Sequence, residues 1–254
     1  MGTLIFSFNY FGNNQEIIVS YFFFNRIKFH KYFMFYTFII YSLVGFFLFL
    51  ILTKFSYRLN LLDVPNKRKI HSKPTAYSGG IILCIIYFIG IKLNNYNNSD
   101  LNIIIYTSFL ISIIGLIDDK FNLNFKKKLL LQTIPILYLI IFEKLNLTNL
   151  GDYNYFKSNL GNFAIIFTLL CVLLLVNSFN YFDGIDGSLS FSLISVIVIL
   201  YFLIPIENFR YFLLILFIPI IIFLFFNFSI FRLPKIFLGD SGSLMLGFTI
   251  SFVL

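Results

Sequence analysis

Apolar residues along the chain gather into eight runs separated by short polar stretches, at roughly 33–53, 79–91, 101–117, 129–142, 161–176, 188–205, 211–226 and 243–254. Within most runs the hydrophobic residues occupy every face of a helix instead of one stripe, the pattern of a segment surrounded by lipid or by other apolar helices. The runs predict an all-α integral membrane protein, a polytopic bundle of about eight transmembrane helices. Several fall short of the ~20 residues a crossing needs, so their helices are expected to extend into the flanking segments or to lie close to the membrane normal. No internal repeat and no long linker divides the chain. The expected organisation is a single transmembrane domain over residues 33–254, incomplete at its C-terminal end, preceded by an extension over residues 1–32.

Composition sharpens this picture. Of the 254 residues, 59% are hydrophobic and 12% charged, with a mean hydropathy of +0.90, which excludes both a water-soluble domain and a disordered chain. Cys84 and Cys171 lie inside apolar runs, so neither a disulfide framework nor a cysteine metal site is suggested. The net charge of +8 comes without a basic helix or zinc pattern, so nucleic acid is not an expected partner and the lipid bilayer is. Sorting basic residues by alternate loops places Lys54, Arg58, Lys67, Arg68, Lys69, Lys73, Lys120, Lys126, Lys127, Lys128, Arg232 and Lys235 on one side. Only Lys92, Lys144, Lys157 and Arg210 fall in the opposite loops, which makes the first side cytoplasmic. Arg26, Lys28 and Lys31 break the rule; either translation starts at Met34, or the segment carrying Tyr21 to Phe24 lies in the membrane interface.

Six of the eleven acids, Asp63, Asp118, Asp119, Asp183, Asp186 and Asp240, fall on the cytoplasmic side, and all six are Asp. Carboxylates at the hydrocarbon edge are costly unless paired, hydrated or metal-bound, which marks this face as the candidate site. Asp118 and Asp119 end the third run; such a pair can chelate or share a proton, and a solvated helix end is the plainer alternative. The segment Asn177-Ser-Phe-Asn-Tyr-Phe-Asp183-Gly-Ile-Asp186-Gly carries a polar group every three residues. On an α-helix that stripe drifts by about 60° per step, so its members share a pocket only where the helix tightens or breaks, as Gly184 and Gly187 permit. An Asp-Gly turn is the alternative. Asp240 stands between glycines at the start of the last run, in Leu238-Gly-Asp-Ser-Gly-Ser243, a setting that suits a phosphate and its cation. The first cytoplasmic loop, Asp63-Val-Pro-Asn-Lys-Arg-Lys69-Ile-His71, is basic; orientation charge accounts for its Lys and Arg but not for His71. Oxygen ligands for magnesium beside basic residues describe a place where a nucleotide diphosphate meets a lipid, and phosphoryl transfer is the economical chemistry.

Four elements, Asp-x-Pro-Asn-x-Arg-Lys-x-His followed by Gly-Gly, Gly-Leu-Ile-Asp-Asp, Asn-x-x-Asn-x-x-Asp-Gly-Ile-Asp-Gly and Leu-Gly-Asp-Ser-Gly-Ser, resemble in type and order the polyprenyl-phosphate N-acetylhexosamine-1-phosphate transferases. The Arg-Lys-x-His form looks more like the branch that uses N-acetylglucosamine-type donors than the branch that builds peptidoglycan. The resemblance implies a bacterial inner-membrane enzyme, active on its cytoplasmic face, that moves a sugar 1-phosphate from a UDP-sugar to undecaprenyl phosphate and releases UMP. It implies Mg2+ as cofactor, with Mn2+ as a substitute. A homodimer is compatible with it. By the same resemblance Asp118 and Asp119 are catalytic candidates, and Asn180, Asp183 and Asp240 are metal-site candidates. Lys69, His71, Lys128, Asn177 and Asp186 are candidates for substrate binding, and Gln132 matches a glutamine that follows the Asp-Asp pair. Family members continue beyond the Gly-Asp-Ser-Gly-Ser element with a late loop rich in His and Arg. The chain is therefore expected to be a fragment or a catalytically silent relative if it is not active as it stands. An ion-coupled transporter is the competing class, with acids near the bilayer midplane on broken helices.

Overall fold

The computed structural model describes residues 13–65, 73–93, 98–153 and 156–254, with side chains described outside 13–35 and 152–157. Lys69 and His71 lie outside the described residues. The described part contains eight α-helices: α1 (Asn13–Arg58), α2 (Gly79–Leu93), α3 (Ser99–Phe121), α4 (Phe125–Ile141), α5 (Ala164–Phe182), α6 (Ser188–Leu203), α7 (Glu207–Asn227) and α8 (Gly239–Val253). Each apolar run becomes one helix, so the all-α membrane fold holds. Two small antiparallel hairpins, β1 (Leu62–Asp63) with β2 (Thr75–Ala76) and β3 (Asn149–Tyr153) with β4 (Phe156–Asn159), lie between helices. The chain divides into two compact units, residues 1–40 and 41–254. The first holds the N-terminal part of α1, which is helical from Asn13 onward and includes Tyr21 to Phe24.

Four segments of 21 to 23 residues, Tyr36–Arg58, Ser99–Phe121, Gly161–Phe182 and Glu207–Asn227, are long and apolar enough to cross a membrane. In α3 and α7 the helix extends beyond the apolar run at both ends, as the short runs require. By contrast α2 and α6 stop at 15 and 16 residues. For α6 the limits are local: Gly187 before it takes a left-handed φ of 75°, and Ile204 after it is extended, the conformation forced on the residue preceding Pro205.

In the larger unit α8 is the inner helix, and α2, α3 and α5 pack around it. From Ser241 to Ile250 every residue of α8 is buried. Such close packing needs small residues where helices cross. A Cβ on Gly80 of α2 would stand 2.0 Å from the backbone nitrogen of Gly242, and a Cβ on Gly115 of α3 would stand 2.4 Å from the carbonyl oxygen of Asp240. The start of α8 is thus held by backbone contacts that no larger residue admits. The segment before α8 is tied as well: Phe237 N donates to Ala76 O at 2.8 Å, while Gly79 N and Gly80 N donate to the carbonyls of Phe237 and Leu238 at 3.1 and 2.9 Å. These bonds also satisfy two of the amide groups that the first turn of α2 leaves unpaired.

Away from that end, the interior repairs its own backbone. Pro219 inside α7 has no N–H to offer the carbonyl of Ile215, and an unpaired carbonyl in an apolar bundle costs several kcal/mol. The hydroxyl of fully buried Tyr41 donates to that oxygen at 3.0 Å. Tyr87 also reaches α7, donating to Leu216 O at 3.3 Å.

Candidate functional site

The C-terminal ends of α3 and α5 and the N-terminal ends of α4 and α8 meet at one end of the bundle. Asn122 ends α3 in the left-handed conformation, with φ 49°, and its N–H bonds to the carbonyl of Asp118. This sharp turn lets α4 begin only three residues later and returns Lys128, one turn into α4, to the side chain of Asp118. The ammonium nitrogen lies 2.7 Å from Asp118 Oδ2 and 2.5 Å from Asp240 Oδ2, and it donates to Asn180 Oδ1 at 3.0 Å. All three donors of Lys128 are therefore engaged by three different helices. Both Asp118 and Lys128 are buried, each 8% exposed, so the ion pair is made where breaking it is costly.

Around this knot the other polar groups are satisfied in turn. Asp118 Oδ1 accepts from Leu123 N at 2.8 Å, fixing the α3–α4 turn. Asn180 donates its Nδ2 to Asp240 Oδ1 and to Ser243 Oγ, each at 2.9 Å. Asp119, the neighbour of Asp118, faces elsewhere: its two oxygens accept from the backbone N–H of Asp240 at 3.1 Å and of Ser241 at 3.3 Å. The Asp-Asp pair thus serves two sets of partners. Asp183 caps the C-terminal end of α5. Burial pushes its carboxyl up to about 8, and the nearby charges of Asp240, Asp119 and Asp186 push the same way.

The three-residue stripe on α5 behaves as its drift requires. Asn180 points to Asp240, while Asn177, one turn earlier, donates to Gln132 Oε1 at 3.0 Å and to Leu173 O at 2.8 Å. Gln132 is fully buried, and its Nε2 has no hydrogen-bond partner among the described residues. The helix breaks after Phe182, and Asp186 lies on the exposed rim, paired with Lys235 at 2.6 Å. Of the predicted residues within the described part, Asp118, Lys128, Asn180 and Asp240 form one connected group and Asp119 joins it through the α8 backbone. Asp183 is linked to it electrostatically, through the push of Asp240 and Asp119 on its carboxyl. Asn177 belongs to the adjoining amide pair and Asp186 to the rim. Two participants escaped the sequence reading. Ser243 was legible, since it stands three residues after Asp240 on the same helix face. Lys235 reads in the sequence only as orientation charge, and its pairing with Asp186 leaves no local signal.

The donor set suits a hard divalent cation in type: carboxylate and amide oxygens, with Asp118, Asp240 and Asn180 meeting one ammonium and Asp119 and Asp183 at the neighbouring helix ends. It is not a closed protein cage, because among the described residues no three acidic, His or Cys side chains converge on one point. Magnesium bound together with substrate phosphates commonly takes only one or two carboxylates from the protein, so the residues present fit such an ion.

Fold and site together define a polytopic helical membrane protein with a buried acid, amide and lysine cluster where its helix ends meet. The chain belongs to glycosyl transferase family 4, whose sequence profile matches residues 101–254, a span that includes every residue of the cluster. It is similar to a probable undecaprenyl-phosphate N-acetylglucosaminyl 1-phosphate transferase of Bacillus subtilis (strain 168), with 29% identity over 210 residues, 79% of this chain and 56% of the relative. It is also similar to undecaprenyl-phosphate alpha-N-acetylglucosaminyl 1-phosphate transferases of Escherichia coli (strain K12), at 28% identity, and Yersinia pestis, at 27%, each over 209 residues, 79% of this chain and 56% of the relative. The chain spans just over half the length of these curated relatives.

Proposed function

We propose that the chain transfers a sugar 1-phosphate, N-acetylglucosamine 1-phosphate or a close analogue, from a UDP-sugar to undecaprenyl phosphate at the cytoplasmic face of the bacterial inner membrane. The observation that carries this reading is Lys128 joining Asp118, Asn180 and Asp240 at a single point. The helix ends bearing this cluster also carry Lys120, Lys126, Lys127 and Lys128, as expected of a site for phosphates on the positive-inside face. Position argues against the transporter alternative, since these acids stand at helix ends and not near mid-span.

In the proposed reaction an oxygen of the lipid phosphate attacks the sugar-bearing β-phosphorus of the donor. A new P–O bond forms, the bond between that phosphorus and the bridging oxygen breaks, and UMP leaves with the electron pair. Asp240 and Asp183, with Asn180 beside them, are the residues that would hold Mg2+ or Mn2+. Such an ion, when bound, neutralises charge on the diphosphate and on the leaving UMP. Lys128 supplies a fixed positive charge at the cluster and holds Asp118 and Asp240 in register. A phosphate monoester has its second pKa near 6, so the acceptor is mostly ionised at neutral pH and Asp118 has at most a residual proton to take. Asp186 and Lys235 line the rim through which a soluble donor would approach. Lys69 and His71 of the first loop remain candidates for the donor phosphates.

The test is magnesium-dependent release of UMP from UDP-N-acetylglucosamine with undecaprenyl phosphate in detergent, by this chain and by a form extended to the length of its relatives. Release by either supports the reading, and release only by the extended form identifies a missing part of the site. No UMP from either, across several UDP-sugars, rejects it.

A further inference from the structure

We propose that Asp119 is a positioning residue: it is the N-cap of α8, supplied by α3, and through that cap it sets where Asp240 stands. The inference rests on the transferase reading above and assigns Asp119 a role different from that of its neighbour. The first turn of a helix presents amide groups with no partner inside the helix. The residue at the cap position of α8 is Leu238, which has no side-chain acceptor to offer. Asp119 takes that place from another helix, one oxygen on the N–H of Asp240 and the other on the N–H of Ser241.

The surroundings are shaped for this contact. Gly239 adopts φ 72°, and a Cβ there would stand 2.7 Å from Asp119 Oδ2 and 2.4 Å from the carbonyl of Tyr77. Gly115 precedes Asp119 by four residues, on the same face of α3. Its missing side chain lets α3 press against the carbonyl of Asp240. One glycine and one carboxylate of α3 therefore grip the first turn of α8 from two sides. Asp240 is the residue gripped, and its carboxylate meets Lys128 and Asn180. Asp118 instead spends its oxygens on Lys128 and on the turn into α4. With both oxygens of Asp119 on main-chain amides, its influence on the reaction passes through the placement of Asp240.

Asn is about as good an N-cap as Asp, and Ala is far worse, so the conservative and the truncating variants should part company. The experiment compares wild type, Asp119→Asn and Asp119→Ala of the full chain in detergent, reading amide hydrogen exchange over residues 238–246 and magnesium-dependent UMP release. Expected for Asp119→Asn is exchange and turnover within about tenfold of wild type. For Asp119→Ala the expectation is faster exchange in that segment and turnover lower by about 100-fold. Exchange unchanged in Asp119→Ala, or Asp119→Asn as inactive as Asp119→Ala with its exchange intact, overturns the proposal. Should Asp119→Ala fail to fold, Asp119→Asn decides alone: retained turnover with retained exchange supports the cap, and lost turnover with retained exchange sinks it. Should wild type release no UMP, the transferase reading fails separately, and the exchange rates still decide whether Asp119 caps α8.

Discussion

The two ends of α8 use polar groups for different purposes. Along the middle of the bundle, hydroxyls serve the backbone: Thr249 bonds to the carbonyl of Met245, Ser251 to Gly247 and Thr107 to Ile103, while Tyr41 and Tyr87 serve α7. At the start of α8, side chains bond mainly to one another, joining α4, α5 and α8 over sequence separations of 52 to 112 residues and drawing in α3 through Asp118 and Lys128. Groups that bond to a backbone are fully spent on the fold. Groups that hold only each other can exchange a partner for a ligand, which is why the chemistry is assigned to the second region.

The largest effect is expected at Asp240. Asp240→Asn should lower magnesium-dependent UMP release by at least about 10³-fold while expression in the membrane is kept; turnover near wild type would remove the site assignment. Next in size is the helix crossing. Gly80→Ala puts a methyl 2.0 Å from a backbone nitrogen of α8, and should cost roughly 3 kcal/mol, read as a lower melting midpoint and a poorer folded yield.

In the mid-bundle region Tyr41→Phe should cost about 1 to 3 kcal/mol, because it orphans the Ile215 carbonyl, and should leave UMP release unchanged. Adding Pro219→Ala, which restores an N–H to that carbonyl, should recover most of the loss, as a double-mutant cycle on melting would reveal. The smallest effect concerns pH. The Asp183 carboxyl is raised from 3.8 to about 8 in the folded chain, so the folded state holds a proton that the unfolded state has lost. Stability without divalent ions should therefore fall as pH rises from about 4 to about 8 and level off above that. Asp183→Asn should flatten that slope in melting curves; an unchanged slope would show that Asp183 is not its source.

Much of this was legible in one dimension. All eight helices could be found from the apolar runs, because lipid and a dry bundle interior impose the same demand on every position of a segment. The collection of Asp on the basic side was equally plain. What could not be read was the division of labour between Asp118 and Asp119. Adjacent residues on a helix point about 100° apart, and only the positions of α4 and α8 determine what each one meets. The Gly-Gly that opens the second apolar run carries no sign of its task in the sequence, yet the structure makes Gly80 the crossing point of α2 with α8.

By itself, then, the order of residues determined that the chain is a helical membrane protein, where its helices lie, and that acids and bases gather at one side. Those properties follow from local composition against the solvent that surrounds each segment. Tertiary structure alone decided that Lys128 bridges Asp118 and Asp240, that Asn177 turns away to Gln132, and that Asp119 caps a helix 120 residues distant. Each of those depends on how two helices approach, a distance set by glycines and side-chain volumes on separate segments.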